Sequence, residues 1–173
     1  MNVTALVLLA VAAGVPPLLN RRRFPDWLAP GIAIAALAIA AVAAAYGDEV
    51  HGFGIGATVV LSVAAAAIGG TVIPPAAFRI ARRAPAQTNT TTLVAAGPLR
   101  GGLIIGILER TAVAAAIVAA KGPEGIAIVM AVKGLARYPE LREPTASEQF
   151  IIGTFTSVLW AVAAGAVGRG MLS

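Results

Sequence analysis

Long apolar runs, separated by short charged or proline-containing stretches, make up almost the whole chain. Runs near 20 residues are what a helix needs to cross a bilayer. Six are expected, at about 3–19, 28–46, 53–73, 99–120, 123–136 and 146–167. The pattern predicts an all-α, polytopic transmembrane helix bundle of about six spans, forming one domain over residues 1–173.

The breaks between runs carry their own signals. Pro16 and Pro17 remove two amide donors and are expected to kink or end the first helix. The third run is built mostly of Gly, Ala, Val, Ile, Ser and Thr, which admit close backbone approach in lipid, so it is expected near the centre. Pro74 and Pro75 are expected to end it, with 76–83 continuing as a short interfacial helix that carries Arg79, Arg82 and Arg83. Residues 84–92 read as the longest polar loop. Gly122, Pro123 and Glu124 fit an N-cap, a first helical proline and an acid at the positive end of the dipole. Thr145 and Glu148 have the spacing of a capping box and mark the start of the last span.

Composition agrees with a bilayer setting. The chain is 58% hydrophobic and 12% charged, with a mean hydropathy of +0.86, and this leaves too little polar surface to cover a soluble globule. There is no cysteine, which excludes disulfides, thiolate metal sites and cysteine nucleophiles. With a single histidine, His51, no histidine metal cluster is expected, and neither metal nor cofactor is assigned. His51 lies with Asp48 and Glu49 in a loop expected to be solvated. The formal net charge of +5 is read as a topology signal rather than as a nucleic-acid footprint.

Basic residues orient the bundle. Arg21, Arg22, Arg23, Arg79, Arg82, Arg83, Arg137 and Arg142 fall on one side, against Lys121 and Arg169 on the other. The positive-inside rule then places both termini outside. The first span has no basic residue before it and three after it, the reverse of a secretory signal peptide, so it is read as an uncleaved helix. Trp27 and Tyr46 are expected at the two interfaces of the second span.

The remaining charges fall inside the fourth and fifth runs, and they are the candidate functional residues. Glu109, Arg110 and Lys133 cost several kcal/mol in hydrocarbon unless they meet partners or water. In a tight antiparallel hairpin Arg110 levels with Lys133, with Glu109 one residue away and Arg137 a turn beyond Lys133 toward the cytoplasm. Glu109 shares a helix face with Gly102 and Gly106, which predicts a closely packed neighbour there, whereas Ile117 is expected to face lipid. Gly102, Gly106, Gly153 and Gly165 are the expected helix-packing glycines. One carboxylate among Arg110, Lys133 and Arg137 leaves three readings open. They are a structural ion pair, a cationic cavity for an anion or a lipid head group, and a proton or cation relay through Glu109.

Three stretches also carry a family resemblance. These are Gly-Leu-Ile-Ile-Gly-Ile-Leu-Glu-Arg at 102–110, Lys-Gly-Leu-Ala-Arg-Tyr-Pro-Glu-Leu at 133–141 and Phe-Ile-Ile-Gly-Thr-Phe-Thr-Ser-Val-Leu-Trp at 150–160. They resemble a family of small bacterial polytopic membrane proteins with Glu-Arg, Lys-x3-Arg and Phe-x-Ile-Gly-Thr helices and no assigned activity. Members also carry a polar His/Asp pattern near the N-terminus, which the first span here lacks. The resemblance implies a multi-pass protein of a bacterial cytoplasmic (inner) membrane and directs attention to Glu109, Arg110, Lys133 and Arg137.

The functional expectation is transport, or binding of an anionic ligand or lipid head group, through that charge cluster. Membrane lipids, anionic ones included, are the expected ligands, and the protein is expected to act as a homo-oligomer or with a membrane-protein partner. The alternative is an accessory or structural subunit of a larger membrane assembly. An enzyme is not expected, because one carboxylate and no histidine at depth offer little acid/base machinery.

Overall fold

A computed structural model of the protein describes residues 3–20, 24–47, 49–83, 102–119, 122–136, 138, 142 and 144–173. These residues form helices and short turns, with no strand among them. The helices are α1 (Val3–Asn20), α2 (Leu28–Ala45), α3 (Phe53–Ala67), α4 (Ile73–Arg83), α5 (Gly102–Val118), α6 (Gly122–Ala136) and α7 (Pro144–Gly170), with a 3₁₀ turn at Gly69–Val72 joining α3 to α4. Arg137, Arg21 to Arg23, Asp48, the 84–92 loop, Arg100 and Lys121 lie outside the described residues.

Three helical stretches are long and apolar enough to cross a membrane: Leu28–Ala45, Phe53–Arg82 and Ser147–Gly170. The apolar Val3–Leu19 is shorter. α5 and α6, with 17 and 15 residues, extend about 26 and 23 Å at 1.5 Å per residue, short of a core about 30 Å thick.

Four boundaries differ from expectation. α6 starts at Gly122 itself, which makes Gly122 its first residue rather than its N-cap. α1 runs through Pro16 and Pro17 to Asn20, so the two prolines do not end it. Pro74 and Pro75 do not stop the third run either. They occupy the first turn of α4, where missing amide protons leave no helical bond unmade, and the break lies one turn earlier, at Gly69 and Gly70. α7 begins at Pro144, which places Thr145 inside the helix rather than at its N-cap.

α3 and α7 occupy the middle. α3 packs on α1, α5 and α7, while α7 also packs on α2, α4 and α5. α6 is peripheral and packs chiefly against α5. Buried positions in α1 include Ala5, Leu9 and Ala12, beside Ala13 and Pro16, and in α2 they include Ala29, Ala33, Ala36 and Ala40, beside Pro30 and Leu37. Their three- and four-residue spacing gives each helix a small-residue face, and α1 and α2 pack extensively on each other. At Gly69 a Cβ would collide with the carbonyl of Ala12, so α1 passes directly over the α3 break. Gly168 admits Ser62 of α3 in the same way, its Cβ position lying 2.5 Å from the Ser62 hydroxyl oxygen.

Candidate functional site

The break after α3 sets the chemistry of the bundle centre. In a continuous helix the Thr71 amide would donate to the Ala67 carbonyl, four residues back. Here it donates to Ile68, at 3.1 Å, as the 3₁₀ turn requires. The Ala67 carbonyl therefore loses its helical donor at a buried position, Ala67 being 6% exposed, where it needs another partner.

Arg110 of α5 takes the vacated place. Its Nε and Nη2 both donate to the Ala67 oxygen, at 3.1 and 3.0 Å, and its Nη1 donates to Ser157 Oγ of α7 at 3.2 Å. Beside it the Trp160 indole N–H donates to the Ala65 carbonyl at 3.0 Å. Arg110 is 5% exposed and Trp160 6%. Two neighbouring helices thus cap the last turn of α3, one of them with a permanent cation at the negative end of its dipole. Gly70 makes this possible, since a Cβ there would lie 2.6 Å from both Arg110 Cδ and Trp160 Cδ1.

Glu109 points elsewhere. It pairs with Lys133 of α6 through Oε2 and Nζ, and the ammonium also lies 5.9 Å from the centroid of the Phe150 ring of α7. The side chains of Glu109 and Lys133 retain 18% and 20% exposure, so this pair is shielded but not sealed.

The expected single cluster is therefore two sites among the described residues. Glu109 and Lys133 meet, at the levels that the hairpin register anticipated. Arg110 does not join them, because successive residues on a helix point about 100° apart and α3 offers it free carbonyl oxygen. Arg137 lies outside the described residues.

The glycines divide as well. A Cβ on Gly165 would meet Ile117 Cβ at 3.0 Å and the Ala114 oxygen at 3.1 Å, and one on Gly153 would meet the Phe78 ring at 3.2 Å. Ile117 is thus packed against α7, which corrects its expected lipid-facing position. Gly102 is exposed, and the nearest atom to a Cβ on Gly106 is Arg110 Nη1, at 3.2 Å. Gly106 gives room to the guanidinium one turn on in its own helix rather than to a neighbouring backbone.

Ala67, Gly70, Ser157 and Trp160 were not singled out from the sequence. Two signals pointed to them: Gly69-Gly70 ahead of a Pro-Pro pair, and a tryptophan in the middle of an apolar helix rather than at an interface.

Fold and site together describe an all-helical protein with helices fit to cross a membrane and charged side chains inside its bundle. Comparison with protein-family models, with curated proteins and with solved structures returns no match for this chain.

Proposed function

We propose that the chain is a six-span integral protein of a bacterial cytoplasmic membrane, with both termini outside. We further propose that it works in transport or in binding an anionic ligand or lipid head group, as an oligomer or within a larger complex. The observation that carries this reading is the contrast between its two charged sites. Arg110 is closed off by protein acceptors, whereas Glu109 and Lys133 keep about a fifth of their side-chain surface open. An ionisable pair left partly open within apolar helices is the natural working site of a membrane protein. In this reading Lys133 is the anion-binding cation, and the ligand competes with Glu109 for it.

The test is thermal unfolding in nanodiscs of zwitterionic lipid, with and without added phosphatidylglycerol. The parent protein should gain stability with ligand as RT ln(1 + [L]/Kd), and Lys133→Met should gain none. A parent protein that shows no gain would remove the ligand site.

A second reading, an accessory subunit whose charges only hold its own bundle, is favoured by the closure of Arg110 on Ala67 and Ser157. Stoichiometric copurification with a larger membrane complex, together with no response to anions, would select it.

A further inference from the structure

The pairing of Lys133 with Glu109 makes the anion site dependent on a proton. Lys133 is the cation assigned to the ligand, yet its ammonium is engaged by a carboxylate oxygen of Glu109. An anion that binds Lys133 must therefore either displace a carboxylate or stand beside it, and like charges at contact distance repel strongly in a poorly hydrated site. Protonation of Glu109 removes both obstacles. The carboxylate becomes a neutral acid, the ammonium is released, and the acid O–H becomes a further donor that can reach a bound oxyanion. The Phe150 ring, its centroid 5.9 Å from the ammonium, offers it a second favourable contact that does not depend on the proton.

The charged groups on the elements packed against α5 are few among the described residues. The elements packed on α5 are α3, the 3₁₀ turn, α6 and α7. α3 and the turn contain no charged side chain. α6 contributes Glu124, in its first turn, besides Lys133, and α7 contributes Glu148 and Arg169. On α5 itself Arg110 is committed to Ala67 and Ser157. Lys133 is the described partner of Glu109.

The geometry points to proton-coupled anion binding: one proton taken up by Glu109 accompanies each oxyanion bound at Lys133. The ligand class is a singly or doubly charged oxyanion, either a phospholipid head group or a free ion. The inference rests on the binding reading above and adds its regulation. By linkage the two events assist each other, so acidification tightens anion binding and anion binding draws protons from solution.

The experiment uses the full chain in zwitterionic nanodiscs and two probes that do not themselves titrate near neutrality, short-chain phosphatidylglycerol and inorganic sulfate. Affinity is measured in neutral and in acidic buffer, and proton uptake on ligand addition is followed with a pH dye in weak buffer. The parent should bind more tightly in acid, approaching tenfold per pH unit where the coupling is complete, and should take up protons as ligand is added. Glu109→Gln should bind with the parent's acidic affinity at both pH values and take up none. Lys133→Met should bind in neither buffer. Response to the lipid alone identifies a head group as the source, and response to both identifies a free oxyanion site. Binding by the parent with no pH dependence and no proton uptake would overturn the coupling while leaving the site intact. No binding by the parent in either buffer would overturn the site and the coupling together.

Discussion

Arg110 and Ala67, 43 positions apart in the chain, are joined by two hydrogen bonds from one guanidinium to one carbonyl oxygen. The pairing solves two problems at once. A broken helix inside a bundle has an orphan acceptor, and a buried arginine needs acceptors that are themselves held in place by the fold.

Replacement of Arg110 should therefore be costly whether or not the charge is kept. Arg110→Met leaves the Ala67 oxygen unsatisfied, and a buried orphan of this kind costs about 1–3 kcal/mol. Arg110→Lys keeps a cation but loses the planar fork that reaches Ala67 and Ser157 together, so it should lose most of the same stability. Thermal unfolding in detergent is the measurement, and a near-parent melting temperature for Arg110→Lys would argue against the bidentate arrangement.

Gly70→Ala places a methyl group 2.6 Å from both Arg110 Cδ and Trp160 Cδ1. Overpacking of this kind should destabilise by about 1–3 kcal/mol. Gly56→Ala, in α3 but with nothing within 4 Å of the new methyl, should be neutral or stabilise by up to about 1 kcal/mol through helix propensity. The two substitutions are chemically identical, so a difference in melting temperature isolates the close approach at Gly70.

Trp160→Phe keeps most of the ring but deletes the donor to Ala65. The Ala65 oxygen is left as buried and unsatisfied as Ala67 would be, so a loss of about 1–3 kcal/mol is expected. Trp160 and Arg110 cap the same helix end and both crowd Gly70, so Trp160→Phe combined with Arg110→Met should depart from additivity by about 0.5 kcal/mol or more. Strict additivity would mean that the two caps act independently.

Much of this was legible in the sequence. The apolar runs announce an all-helical protein with helices fit to cross a membrane, because in so hydrophobic a chain the charged and proline-containing gaps are few and sharp. The register of a tight turn brings Glu109 within one residue of the level of Lys133, a local property, but leaves Arg110 an equal candidate for its partner. The place of Arg110 was not legible, since it depends on α3 breaking at Gly69 rather than at Pro74, and on a carbonyl from a helix more than 40 positions away. Side-chain direction was equally hidden. Ile117 reads as lipid-facing by its chemistry, and only the approach of Gly165 shows that α7 covers it.

The proposed orientation is accessible to labelling, since the native chain contains no cysteine. Glu49→Cys should react with a membrane-impermeant maleimide in intact cells, and Arg82→Cys only after permeabilisation. The reverse pattern would invert the topology.

The division of the charges into two sites is tested most directly by a pair of double-mutant cycles read from unfolding stability. Glu109→Gln alone strands Lys133; because the pair is only partly buried the loss should fall below the about 3–5 kcal/mol of a sealed pair, and adding Lys133→Met should recover much of it. The coupling between Glu109 and Arg110, from Glu109→Gln with Arg110→Met, should be less than half as large, because Arg110 spends its hydrogen bonds on Ala67 and Ser157. A Glu109–Arg110 coupling equal to or larger than that of Glu109 with Lys133 would contradict the account and restore a single cluster.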